Sequence, residues 1–259
     1  DPSDGDQGYL PVFSCGNTGP RMLTITWPAT AKNVLSVGGS ENYRPTGSDG
    51  CGTSSSAADT VDQILSSSSR GPTADGRIKP DLVAPGSHIL SLASSAPGFK
   101  GNGVCDLYYP PGQRLVNWST GTSQSAAHVT GAAVIAAEIY RRHYGAEPSP
   151  AMIKAMLINH AHDMGNSLQV PSNTSNRPNF LQGWGRLDIG NLVDARARVA
   201  FDQRTVLTAS GETVTFEPIM VEDPNQSVIV TLVWTDAPGT PAGSAWVNAY
   251  VSGGQYIDR

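Results

Sequence analysis

From Ser123 to Tyr144 the chain is small or apolar almost all round a helical turn, with Val134-Ile135-Ala136-Ala137 at the centre, so the segment predicts a long helix without a broad water-facing side. Such a helix must be enclosed by other elements, which a sheet with further helices can supply. Its ends agree with that reading: Arg141 and Arg142 fall in the last turn and Gly145 just beyond, matching the dipole and the C-terminal stop. At the other end the turn Gly121-Thr122-Ser123-Gln124-Ser125-Ala126-Ala127-His128-Val129-Thr130-Gly131 places Ser123 in the first helical turn. Unpaired N–H groups and the positive dipole end there favour developing negative charge, which suits a nucleophile. A plain capping serine is the competing structural reading.

The elements around this helix read as short buried strands. Leu10 to Ser14 is an apolar run ending in Cys15-Gly16-Asn17-Thr18-Gly19, a turn sequence in its own right. Val34 to Val37 predicts a second strand closed by Gly38-Gly39, followed by a polar, Ser-rich loop from Ser40 to Ser69. Ser68-Ser69-Arg70-Gly71-Pro72 and Lys79-Pro80-Asp81-Leu82-Val83-Ala84-Pro85-Gly86 are cut by Pro and Gly into short extended pieces. A second helix starts with Ser149 as N-cap and Pro150 at its first position, carrying Met152, Ile153, Met156 and Leu157 at helical spacing. A third, shorter helix is expected within Leu187 to Ala197. Strands mixed with core helices make an α/β parallel-sheet domain over residues 1–200.

After about Phe201 the texture becomes strand-like. Thr205 to Leu207, Thr213 to Phe216, Val228 to Trp234 and Trp246 to Val251 are separated by turn signals, so residues 201–259 are expected to form an incomplete, jelly-roll-like β-sandwich module.

Composition closes off other function classes. With 15% charged residues, a net charge of −5 and no basic run, the chain offers nucleic acid no electrostatic footprint. The apolar run AAVIAA is far shorter than a membrane span. The 3 cysteines allow at most one internal disulfide; Cys51 and Cys105 lie in Gly-rich loops and can pair, Cys15 reads as a buried small hydrophobe, and none has zinc spacing. Asn117, Asn173 and Asn225 head glycosylation sequons.

Several of these segments together resemble the subtilisin-like serine proteases, over about Leu10 to Asp188. GTSQSAAHVTG is similar to the family's GTSMASPHVAG-type segment around the nucleophile, and Ser14-Cys15-Gly16-Asn17 to its strand ending in Ala-Gly-Asn. SSSRGP with KPDLVAPG resembles the loop and strand leading to the nucleophile, and GWGRLD the turn before the last helix of the catalytic domain. LVWTDAPGTP is similar to the β-rich domain that follows in some larger bacterial members. The resemblance makes Ser123 the nucleophile of a serine endopeptidase. It makes the Asn17 amide, with the Ser123 N–H, the oxyanion hole. It also implies peptide substrates, secretion, one wall of the substrate pocket at Ser14 to Asn17 with its floor near Thr24 to Thr26, and structural calcium, though no DxDxDG loop occurs and no cofactor is needed for the chemistry.

Departures from the pattern matter as much. Gln124 stands where the family commonly has Met, and Ala127 where it has Pro. The family's triad runs Asp, His, Ser, so its base must precede Ser123. His128 lies five residues after Ser123 and is expected to pack or hydrogen-bond elsewhere. His88, Asp59, Asp62 and Asp81 are in the wrong contexts. The expectation is therefore that Asp and His come from an amino-terminal segment not contained here, and that this chain alone is inactive. The rival expectation is a catalytically inactive, protease-derived binding module.

Overall fold

A computed structural model describes residues 8–47, 52–99, 108, 110–165, 177–194, 198–203, 211–221 and 228–235. Its centre is a parallel sheet in the order β1-β2-β3, formed by β1 (Val12–Ser14), β2 (Leu35–Ser40) and β3 (Leu82–Pro85). Val12 pairs with Leu35, and Val37 with Leu82. A second, antiparallel pair joins β4 (Ile89–Leu92) to β5 (Val116–Ser119). Among the described residues the helices α1 (Thr122–Tyr144), α2 (Pro150–Asn159) and α3 (Ile189–Val193) follow.

The strand expected at Val34–Val37 runs on through both glycines to Ser40. Close packing explains why glycine is present inside a strand: a Cβ at Gly38 would lie 2.9 Å from Val83 Cγ1 and 3.0 Å from Pro80 Cγ. The helix ends match the sequence signals. Gly145 stops α1 in the left-handed conformation, its N–H donating to Arg141 O. The Ser149 hydroxyl accepts the Met152 N–H at the start of α2, with Pro150 in the first turn. Asp188 caps α3 through the Asn191 N–H.

Val129, Ala132, Ala136 and Tyr140 of α1 meet Leu35, Val37, Leu82 and Ala84 of the sheet on one side, with Met156, Leu157 and Ile158 of α2 and Leu192 of α3 completing this core. A charged cluster is buried beside it. Asp81 faces two ammonium groups, Lys79 Nζ at 2.8 Å and Lys154 Nζ at 2.9 Å, and accepts the Ser36 N–H at 2.7 Å. Both lysines also donate to Val34 O at 3.2 Å, so the start of β2, the start of β3 and α2 are held at one point.

The β-rich half is where expectation and structure part. Residues 213–216 and 228–234 form no strand ladder; Thr205–Leu207 and Trp246–Val251 lie outside the described residues. Phe216, Val230, Leu232 and Trp234 remain exposed, so a sandwich core is not assembled among the described residues. Asn159 Nδ2 donates to Ile229 O and Thr231 Oγ1, which lays this extended segment against the end of α2. No helix among the described residues is long and apolar enough to cross a membrane.

Candidate active site

The turn after β1 and the start of α1 meet, although more than 100 residues of sequence separate them. The Asn17 side-chain oxygen accepts the Thr122 N–H at 2.9 Å and the Thr122 hydroxyl at 3.1 Å. The Thr122 hydroxyl also lies 3.2 Å from Gly16 O. A backbone N–H can only donate, so the atom bound to Thr122 is the amide oxygen and Nδ2 is the other arm of the same amide. Among the described residues that NH2 has no partner. Gly121 is required by its backbone rather than by space: its φ is +152°, which L side chains rarely adopt, whereas a Cβ there would meet the Asn17 amide only in ordinary contact, 3.4 Å from Oδ1 and 3.5 Å from Nδ2.

Ser69 and Thr26 brace the same turn from behind. The Ser69 N–H donates to Gly16 O at 3.0 Å, the Thr18 N–H donates to the Ser69 hydroxyl at 3.2 Å, and the Thr26 N–H donates to Cys15 O at 2.9 Å. The Ser-rich run before Arg70 is thus a support for Asn17 rather than filler. Thr24, beside it, donates its N–H to Arg70 O.

Ser123 follows Thr122 and is exposed, as is Asn17. Neither the Ser123 hydroxyl nor its N–H has a hydrogen-bond partner among the described residues. The exposed positions of α1 continue from Ser123 along Ala127, Thr130, Gly131 and Val134, one face of the helix. Gln124 points the other way, its amide nitrogen donating to Ser119 Oγ at 2.8 Å and tying the first turn to β5. With Ala at 127, α1 runs without a break from Thr122 to Tyr144.

None of the 5 histidines reaches Ser123. His88 is fully buried and stacked on Trp118, with one ring nitrogen 3.0 Å from Arg44 O and the other 3.2 Å from Thr53 O. His128 donates from Nδ1 to Pro85 O at 3.0 Å. His143 packs edge-on to Tyr144, and His160 Nδ1 lies 2.7 Å from Met156 O. His162 faces Asp62, which also pairs with Arg186. Asp81 is committed to its lysines, and Asp59 accepts from Thr60.

Among the described residues no three His, Cys, Asp or Glu side chains converge to hold a metal ion, so the calcium expectation finds no ligand set here. Cys15 is buried, its thiol 3.3 Å from Ser69 O and its pKa pushed up to about 11 by burial, which rules it out as a nucleophile near neutral pH. Cys51 and Cys105 lie outside the described residues, as do the sequons at Asn173 and Asn225. Asn117 is 4% exposed within β5 and is closed to modification in this fold.

Two features were beyond sequence reasoning. Thr122, which sets the orientation of Asn17, carries no signal except its place between Gly121 and Ser123. Gln124 looked like an omission of Met and is a strut to β5.

The model of the subtilase family matches residues 3–185. The chain is 32% identical over 189 residues to the serine protease/ABC transporter B family protein tagA of Dictyostelium discoideum, a match covering 66% of this chain and 10% of that protein. It is 37% identical over 87 residues to the serine protease AprX of Bacillus subtilis, covering 34% of this chain and 17% of AprX. Among solved structures, fervidolysin from Fervidobacterium pennivorans, a keratinolytic enzyme related to subtilisin, aligns with a TM-score of 0.46 at 24% identity, covering 71% of this chain and 22% of that one. The chain thus spans less than a fifth of the length of either curated relative.

Proposed function

This chain belongs to the subtilase family, and on that premise we propose that it carries the nucleophile half of a secreted serine endopeptidase, with Ser123 attacking the peptide carbonyl. The observation that carries the reading is the junction of Asn17 with Thr122, beside which, among the described residues, an exposed Ser123 hydroxyl, its backbone N–H and the Asn17 NH2 all lack partners. Acyl transfer passes through a tetrahedral intermediate with a localised oxyanion, and two preorganised donors are what that charge requires. The Ser123 N–H and the Asn17 NH2 are those donors in this account. The positive end of α1 adds to them.

The hydroxyl must lose its proton to a base as it attacks. With all five histidines turned to other partners, that base, and the Asp that orients it, come from a segment outside this sequence. The exposed face of α1 running from Ser123 to Val134 supports this, because small and apolar side chains beside a reactive hydroxyl suit a packed neighbour better than water. In the same reading the chain alone is inactive, and residues 201–259 belong to a β-rich module. A non-catalytic binding module would have no use for a free hydroxyl and a free amide held together.

The experiment is peptide hydrolysis by the longer polypeptide that includes the upstream segment, with and without Ser123→Ala. The proposal expects turnover that Ser123→Ala reduces to background; full turnover in the Ser123→Ala form contradicts it.

A further inference from the structure

Outside the carboxyl ends of β2 and β3 lies a cavity of about 420 Å³, with neither Ser123 nor Asn17 in its wall. Its volume falls in the range of small-molecule sites. One side is aliphatic, formed by Ile89, Leu90 and Ile189; the other carries Arg44, Arg186 and His128. A count of donors shows unused capacity. Arg44 lies over the Trp118 ring and gives one N–H to His88 O at 3.1 Å, and its other N–H groups make no hydrogen bond among the described residues. Arg186 gives one to Asp62 at 3.2 Å; its Nε has no partner but is closed off by the protein, so what it can offer the cavity comes from its terminal NH2 groups. His128 donates from Nδ1 to Pro85 O, so in the neutral ring Nε2 is an acceptor. Asp188, also in the wall, has both oxygens occupied by Asn191 at 3.0 and 3.1 Å, which turns its charge toward the start of α3.

We propose that this cavity binds the carboxyl-terminal residue of a peptide with an aliphatic side chain. The carboxylate takes the spare guanidinium donors, for which a planar fork is well suited. The peptide N–H of the same residue donates to His128 Nε2, and its side chain covers Ile89, Leu90 and Ile189. A bare phosphate satisfies only the first of these three requirements. The site holds a peptide by its tail, either a substrate before cleavage or a product after it, and its occupancy does not depend on the chemistry at Ser123.

The test is calorimetric titration of this chain, bearing Ser123→Ala, with N-acetyl-L-leucine, N-acetyl-L-leucinamide and inorganic phosphate. The acid is expected to bind saturably and the amide at least about tenfold more weakly, since it lacks the charge. Arg44→Gln is expected to weaken the acid by a similar factor without lowering the melting temperature. Should Arg44→Gln fail to fold, the comparison of acid with amide on the Arg44 chain decides alone. Equal binding of acid and amide, no saturation by the acid up to about 10 mM, or tighter binding of phosphate than of the acid overturns the proposal.

Discussion

The Asn17 side-chain oxygen accepts the Thr122 N–H at 2.9 Å and the Thr122 hydroxyl at 3.1 Å, so the residue next to the proposed nucleophile also fixes which way the proposed oxyanion donor points. In subtilisin, loss of the oxyanion-hole asparagine costs roughly 10²–10³ in kcat, and that family member sets the scale expected here. In the longer polypeptide that the proposal requires, Asn17→Ala is expected to lower kcat by that order with KM nearly unchanged. Thr122→Val removes only the second of the two hydrogen bonds and is expected to give a smaller loss in kcat. Steady-state kinetics on both variants check this; an Asn17→Ala enzyme with unaltered kcat refutes the assignment.

At the buried charge cluster, one carboxylate serves two ammonium groups, so the two kinds of deletion are not equivalent. Asp81→Asn strands both lysines in a poorly hydrated site and is expected to cost about 3–5 kcal/mol, the usual result of breaking a buried pair. Lys79→Met leaves Asp81 and Lys154 paired one to one and is expected to cost far less. Urea unfolding of the two variants distinguishes them; equal losses contradict the picture.

The same cluster predicts how stability changes with pH. Burial alone would raise the Asp81 pKa, but Lys154 and Lys79, with hydrogen bonds from Lys79 and the Ser36 N–H, bring it below its ordinary value near 3.8. As pH falls the unfolded chain therefore takes up the proton first, and the contribution of Asp81, complete above that value, is lost as the pH drops through the lower folded one. Lys79 is pushed the other way for an ammonium: burial, only partly offset by Asp81, lowers its pKa from 10.5 to about 8. Its folded form sheds the proton first as pH rises, so it adds stability between about 8 and 10.5. The urea midpoint of the parent chain relative to Lys79→Met should rise across that window. A flat difference contradicts the assignment.

The Cys15 thiol, buried and pushed up to about 11, should resist alkylation at pH 8 while the chain is folded and react once it is unfolded. Mass spectrometric mapping after iodoacetamide treatment reads this directly. Rapid modification of Cys15 in the native state contradicts its burial.

What could be read from sequence was whatever chemistry the local chain carries by itself. The caps at Ser149 and Gly145 and the helical spacing of α2 are local, and they appear where expected; α1 spans the expected residues but is not enclosed on all sides, since Val134 and Ile135 are exposed. Gly38-Gly39 misled because glycine ends strands more often than it continues them; only the approach of Val83 and Pro80 explains its place inside β2. The tie from Lys154 to Asp81 and the grip of Thr122 on Asn17 join residues far apart in the chain, and no local pattern announces either. The strands expected at 213–216 and 228–234 had the right composition but find no ladder among the described residues, because strand propensity supplies no hydrogen bonds without a partner edge.

The central claim is that Ser123 is a nucleophile whose proton acceptor lies outside this chain. It is tested most directly by the rate at which a peptidyl phosphonate labels Ser123 in this chain alone and in a longer polypeptide that carries the proposed upstream segment. The account predicts labelling of Ser123 in the longer form and none above background in the chain alone. Equal rates of labelling in the two would contradict it.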